Sequence, residues 1–120
     1  MSDTSDYTRM TRDVARALGT LRKDVPDAMN AFNALSKAAL QPGALDAIQK
    51  ELIALAIGVS SRCDACIGFH VKALVRLGVS REQFMETLAV TVYMGGGPTA
   101  MYAANAVRAY EEFTAPAESA

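Results

Sequence analysis

KELIALAIGVSSRCDACIGFHVKALVRLG, residues 50–78, decides the fold. Its apolar residues recur at intervals of three and four and never alternate for long, which is the period of a helix. The stretch reads as most of two helices, one from about Leu45 to Val59 and one from about Arg62 to Leu77. The first has a polar lower part (Asp46, Gln49, Lys50, Glu51) and an upper part, LIALAIGV, that is apolar nearly all round. A helix apolar on every side belongs at the centre of a fold. Ser60 or Ser61 is expected to cap the second helix, and Gly78 suits its C-terminal end.

The same period extends in both directions. Met10, Val14, Leu18 and Leu21 make an apolar stripe near the start. Pro26 is placed to open a second helix, which Met29, Phe32, Leu35 and Leu40 would face with apolar side chains. QPGAL, residues 41–45, breaks the pattern at Pro42 and Gly43. Ser80 and Gln83 form a capping-box pair for a fifth helix, about Arg81 to Met94. Three glycines end it, and Pro98 starts a sixth that runs to about Phe113. TAPAESA, residues 114–120, reads as a frayed tail. The expectation is an all-α, single-domain bundle of about six helices over residues 1–120, with no internal repeat or dividing linker.

Composition narrows the function. Hydrophobic residues are 51 % and charged residues 21 % of the 120, so the chain can build a core. A formal net charge of −1 without a basic patch argues against a nucleic-acid partner. MSDTSDYTRM, residues 1–10, lacks the layout of a secretory signal, and LIALAIGV is too short to span a bilayer. The expectation is a cytoplasmic protein with no membrane partner and no cofactor. MGGGP, residues 94–98, reads as a break between helices, since no P-loop lysine follows. Phe69, Tyr93, Met94 and Tyr102 are read first as core or subunit interface, with a substrate pocket as the alternative.

Both cysteines and the single histidine fall within CDACIGFH, residues 63–70. In a reducing compartment such a pair is more often catalytic or metal-binding than a permanent bridge. On a helix, Cys63, Cys66 and His70 share one face. Cysteines three apart there have Cα atoms roughly 5 to 5.5 Å apart, within reach of a disulfide that opens and closes with little backbone movement. The first turn of a helix stabilises a thiolate; Arg62 adds to that and Asp64 opposes it. If the third and fourth helices pack antiparallel about a turn near residues 60–61, position 70 mirrors onto Glu51. A carboxylate there would fix the imidazole tautomer and raise its basicity. Zinc is the main rival, with Cys63, Cys66, His70 and Glu51 as ligands. Against it, the three helical positions spread over about 10 Å. Two small buried core cysteines are the plainest alternative, and the histidine on the same face of the helix that the pair opens weighs against it.

Glu51, Cys63, Cys66 and His70 reproduce the active-site spacing of the alkylhydroperoxidase D-like proteins of the carboxymuconolactone decarboxylase superfamily. KELIALAIGVSSRCDACIGFHVKALVRLGVSREQF resembles the family core, and GGGPTAMYAANA resembles its C-terminal helix, together about residues 43–113. The resemblance implies an all-helical fold assembled as a homo-oligomer, trimer or hexamer. It also implies a thiol-dependent peroxidase that takes a hydroperoxide substrate and a dithiol reductant, with no cofactor and no metal. By position, Cys66 resembles the peroxidatic sulfur, Cys63 the resolving cysteine, and Glu51 with His70 the proton relay. Helix-dipole reasoning alone favours Cys63 as nucleophile, whereas the His70 spacing favours Cys66. The chain departs from the family pattern at Ala65, where a second histidine is expected; this predicts a simpler relay and a slower or redirected peroxidase. A redox sensor or disulfide-exchange protein is the non-catalytic alternative. The lactone-decarboxylase branch of the superfamily does not depend on a C-x-x-C pair, so both cysteines weigh against it.

Overall fold

The computed structural model describes residues 6–116, and these form six helices without a strand. Residues 1–5 and the end of the expected tail, residues 117–120, lie outside the described residues. Helix α1 (Asp6–Asp24) opens on an acidic residue and closes on Arg22 and Lys23, each matched to the helix dipole. Only Val25 separates it from α2 (Pro26–Leu40), whose proline sits in the first turn where a missing N–H costs nothing. Helix α3 (Ala47–Ser60) starts two residues later than its apolar pattern does, because Asp46 and Gln49 close a capping box at 2.8 Å in both directions. Helix α4 (Asp64–Leu77) ends at Gly78 in the left-handed region. The Ser80–Gln83 capping box opens α5 (Arg81–Gly95), and Gly96 turns the chain into α6 (Gly97–Thr114).

Helix α4 is the centre of the bundle, packed between α3, α6 and α1. Ile67, Val71 and Leu74 lose all solvent contact there, as do Leu55 and Val59 of α3 and Phe84 of α5. Each such side chain contributes about 1.5–3 kcal/mol relative to exposure, and half of these six lie on α4. Ala103, Ala106 and Ala109 of α6 are buried at intervals of three, a small-residue face that lets α6 approach closely. Phe84 stacks on Tyr110 with ring centroids 4.6 Å apart. On the other side, α1 presses on Gly68: a Cβ there would lie 2.7 Å from the Thr11 methyl. Glu112 of α6 holds the start of α1, accepting the Tyr7 and Thr8 N–H groups at 3.1 and 2.8 Å.

Two expectations change. Helix α3 is not covered all round. Leu55 and Val59 face the core, but Ile53 and Ile57 point outward, and Ile57 keeps 61 % of its surface. Helix α2 buries no residue, and its apolar stripe shows Phe32 and Leu35 at 61 % and 64 % exposure. Part of its attachment is polar: Lys50 Nζ donates to the Ala39 and Gln41 carbonyls at 3.0 and 2.5 Å, closing the C-terminal end of α2. The cause is shared, since among the described residues no helix lies over these faces. The radius of gyration, 15.0 Å, exceeds the about 13–14 Å expected of a chain this long, consistent with that projecting arm.

Candidate active site

The site is built on the turn between α3 and α4. Helix α3 ends in a Schellman motif: Arg62 N–H donates to the Val59 carbonyl at 3.1 Å and Cys63 N–H to the Gly58 carbonyl at 3.1 Å. The left-handed position of that motif falls on Arg62, with φ +58°. Neither Ser60 nor Ser61 caps α4, contrary to the sequence expectation, because both are still held by α3. Cys63 is the first residue with extended backbone, and its Sγ accepts the Cys66 N–H at 3.2 Å. One residue therefore closes α3 through its N–H and opens α4 through its sulfur. No sequence signal announced this, since cysteine is not a common cap.

Cys63 and Cys66 are joined by a disulfide, with Cα atoms 5.2 Å apart. Gly58 lets α3 lie against this pair; a Cβ there would stand 3.1 Å from Cys66 Cβ. Further along both helices, away from the turn, the carboxylate and the imidazole meet. His70 Nδ1–H donates to Glu51 Oε1 at 2.7 Å, with His70 29 % and Glu51 13 % exposed. The carboxylate holds the proton on Nδ1 and leaves Nε2 as the free acceptor. His70 follows Cys66 by one turn on the same face of α4. The structure thus brings together Glu51, Cys63, Cys66 and His70 on the α3–α4 seam: a dithiol pair at a helix N-terminus, with a carboxylate–imidazole dyad one turn away. Among the described residues, no group of three or more histidine, cysteine or acidic side chains is arranged to hold a metal ion.

Of Phe69, Tyr93, Met94 and Tyr102, the first and last are half-buried and the other two exposed. Tyr93 and Met94 stand at the exposed end of α5, Tyr93 at 82 %, while Tyr102 packs on the core from α6. A cavity of about 470 Å³ lies on the opposite side of α4 between α1 and α6, lined by Tyr7, Asp64, Asn105 and Arg108 among others. Of these, sequence reasoning singled out only Asp64, as a charge beside the thiols. Tyr7 and Asn105 lie 57 and 41 positions from Asp64, and no local pattern links them.

Known proteins share this fold. A carboxymuconolactone decarboxylase family protein from Legionella pneumophila superposes with a TM-score of 0.90 at 47 % identity, over 92 % of this chain and 98 % of its own. A family protein from Thermotoga maritima, whose name suggests a part in the antioxidative response, gives a TM-score of 0.78 at 30 % identity, over 86 % and 88 % of the two chains. An uncharacterised protein of Cupriavidus necator is 42 % identical over 112 residues, 93 % of this chain and 99 % of its own length. The profile of the carboxymuconolactone decarboxylase family matches residues 26–109, and that span carries both helices of the seam. A six-helix bundle with a C-x-x-C pair opening its central helix, in a chain matched over this length, belongs to the carboxymuconolactone decarboxylase family.

Proposed function

We propose that the protein is a thiol-dependent peroxidase of the alkylhydroperoxidase D type, consuming a hydroperoxide at Cys66. The observation that carries the reading is the 2.7 Å contact between His70 and Glu51, one turn from a cysteine pair that closes into a disulfide. Family membership and the antioxidative association of the Thermotoga relative support it.

The chemistry balances with two thiols and one peroxide. His70 Nε2, with Glu51 stabilising the imidazolium, takes the proton from Cys66. The thiolate attacks the outer oxygen of the hydroperoxide. An S–O bond forms, the O–O bond breaks, and the departing alkoxide takes the Cys63 proton to leave as alcohol. The Cys63 thiolate then attacks the Cys66 sulfenic acid, forming the disulfide. The hydroxide released takes the proton from His70 and leaves as water. An external dithiol reduces the pair by exchange and is itself oxidised. A cycle that needs a reductant suits the cytoplasm. The chain also assembles as a homo-oligomer, trimer or hexamer; the uncovered Phe32, Leu35 and Ile57 support this.

Steady-state peroxide consumption with a dithiol donor tests the reading. Cys66→Ser loses turnover, and Cys63→Ser consumes about one equivalent per chain and stops. His70→Ala and Glu51→Gln slow turnover about 10–100-fold, within the range of general acid–base contributions. Full activity in Cys66→Ser would overturn the proposal. Oxidation once per chain in the wild type, without turnover, would point to a redox sensor.

A further inference from the structure

The cysteine pair has a carboxylate inside it. Asp64 is the first residue of α4, adjacent to Cys63 and two before Cys66. A negative charge so close opposes ionisation of both thiols. The fold supplies it with two donors from other helices, both on the same oxygen: Tyr7 O–H of α1 at 2.8 Å and Asn105 Nδ2–H of α6 at 3.2 Å to Asp64 Oδ1. At 3.6 residues per turn, Asp64 is rotated roughly 100 to 160° around α4 from Cys63, Cys66 and His70. The donors therefore hold the carboxylate on the α1–α6 side, away from the seam with α3.

Tyr7 is itself fixed. It is buried, its ring lies against the backbone at Gly68, and its carbonyl accepts Thr11 Oγ1–H at 2.8 Å. The Arg108 guanidinium sits 5.9 Å from its ring centre. Arg108 also donates to Asn105 Oδ1 at 3.1 Å, which orients the amide so that its N–H₂ faces Asp64, and to Asp6 at 3.3 Å. Burial first, and the Asp64 carboxylate second, push the Tyr7 phenol well above its ordinary value. It stays a donor throughout the range in which thiols titrate. Asp64 shares its cavity with Tyr7, Asp6, Arg9 and Asp13 from α1 and with Asn105 and Arg108 from α6. On the thiol side, Glu51 of α3 meets His70, one turn beyond Cys66 on their own helix, and Arg62 precedes Cys63 in the turn.

We propose that Tyr7 is a positioning residue that holds the Asp64 carboxylate off the thiol face of α4 and spreads its charge, and so keeps Cys63 and Cys66 easily ionised. The inference rests on reading the pair as a working dithiol, but its test needs no peroxide. The thiolate absorbance of the reduced protein near 240 nm is titrated against pH for the wild type, Tyr7→Phe, Asp64→Asn and the double variant. Tyr7→Phe keeps the ring and deletes the donor. Its thiolate transition moves up by about half to one pH unit, which is about three- to tenfold less thiolate below the transition. Asp64→Asn moves the transition down, and the double variant titrates like Asp64→Asn alone, because the hydroxyl acts only through the charge. Asn105→Ala removes the weaker donor without touching α1 and gives a smaller upward shift, so the idea stays testable should Tyr7→Phe fold poorly. A wild-type titration in both donor variants overturns the proposal. So does a double variant that keeps the Tyr7→Phe shift, which would make the tyrosine a packing residue. If the shifts appear in a protein that turns over no peroxide, this inference stands and the peroxidase reading falls. Turnover without the shifts overturns this inference and leaves the peroxidase reading standing.

Discussion

The chain contains two consecutive helical pairs, and they behave differently. Helices α3 and α4 are joined by three residues, lie antiparallel, and bury Leu55, Val59, Ile67 and Val71 between themselves and their neighbours. Helices α1 and α2 are joined by one residue, yet α2 buries nothing and keeps Phe32 and Leu35 in solvent. Both pairs show the same helical period in the sequence. What separates them is what each apolar face meets. The α3–α4 seam is satisfied within one chain, and a glycine at its tightest point brings backbone close to the cysteine pair. The α2 face has no counterpart among the described residues. Periodicity, then, tells which side of a helix is apolar and says nothing about whose surface will cover it.

The contrast can be broken by substitution, beginning with the largest effect. Leu55→Ala, in the centre of the seam, is expected to lower stability by about 2–5 kcal/mol, measured by denaturant unfolding. A loss below about 1 kcal/mol would mean the seam is not the core of the bundle. Gly58→Val forces new atoms against Cys66 Cβ and should cost about 1–3 kcal/mol. It should also slow closure of the disulfide, read as the rate of free-thiol loss under a fixed oxidant. Arg62→Gly relieves the left-handed backbone and should raise stability by about 0.5–1 kcal/mol. A destabilised Arg62→Gly would show that the arginine side chain holds the turn. The smallest effect on the fold belongs to the other pair: Phe32→Ser with Leu35→Ser should leave the unfolding free energy of a single chain within about 0.5 kcal/mol. Sedimentation should show a smaller assembly than the wild type. An unchanged assembly would remove α2 from the interface.

Much of this was legible in the sequence, for physical reasons that can be traced. The helix boundaries follow caps and breakers that act locally: Pro26, Ser80 with Gln83, and the glycines at 95–97. Glu51 was found opposite His70 because an antiparallel pair with a short turn fixes which positions meet, so counting from the turn was enough. The cap of α4 was misplaced because Ser60 and Ser61 carry the favoured side chains, but α3 continues through Ser60 and its closing turn reaches Cys63. The Tyr7–Asp64–Asn105 contacts join three helices and have no sequence period at all. The exposure of Ile53 and Ile57 escaped for a different reason: the helical period marks a residue as apolar whether or not another helix lies over it.

The turn at residues 61–63 also bears on which length changes the family fold can accept. Connections between helices usually tolerate insertions, because they carry few contacts of their own. This one leaves no such slack, since Cys63 supplies the last backbone hydrogen bond of α3 and the first side-chain cap of α4. One added residue would separate those two duties onto different positions. It would also slide the register between the helices, so that Glu51 no longer stood across from His70. Length variation among relatives should therefore collect at 41–46 and at the chain ends, while the eleven residues between Glu51 and Cys63 stay fixed in number.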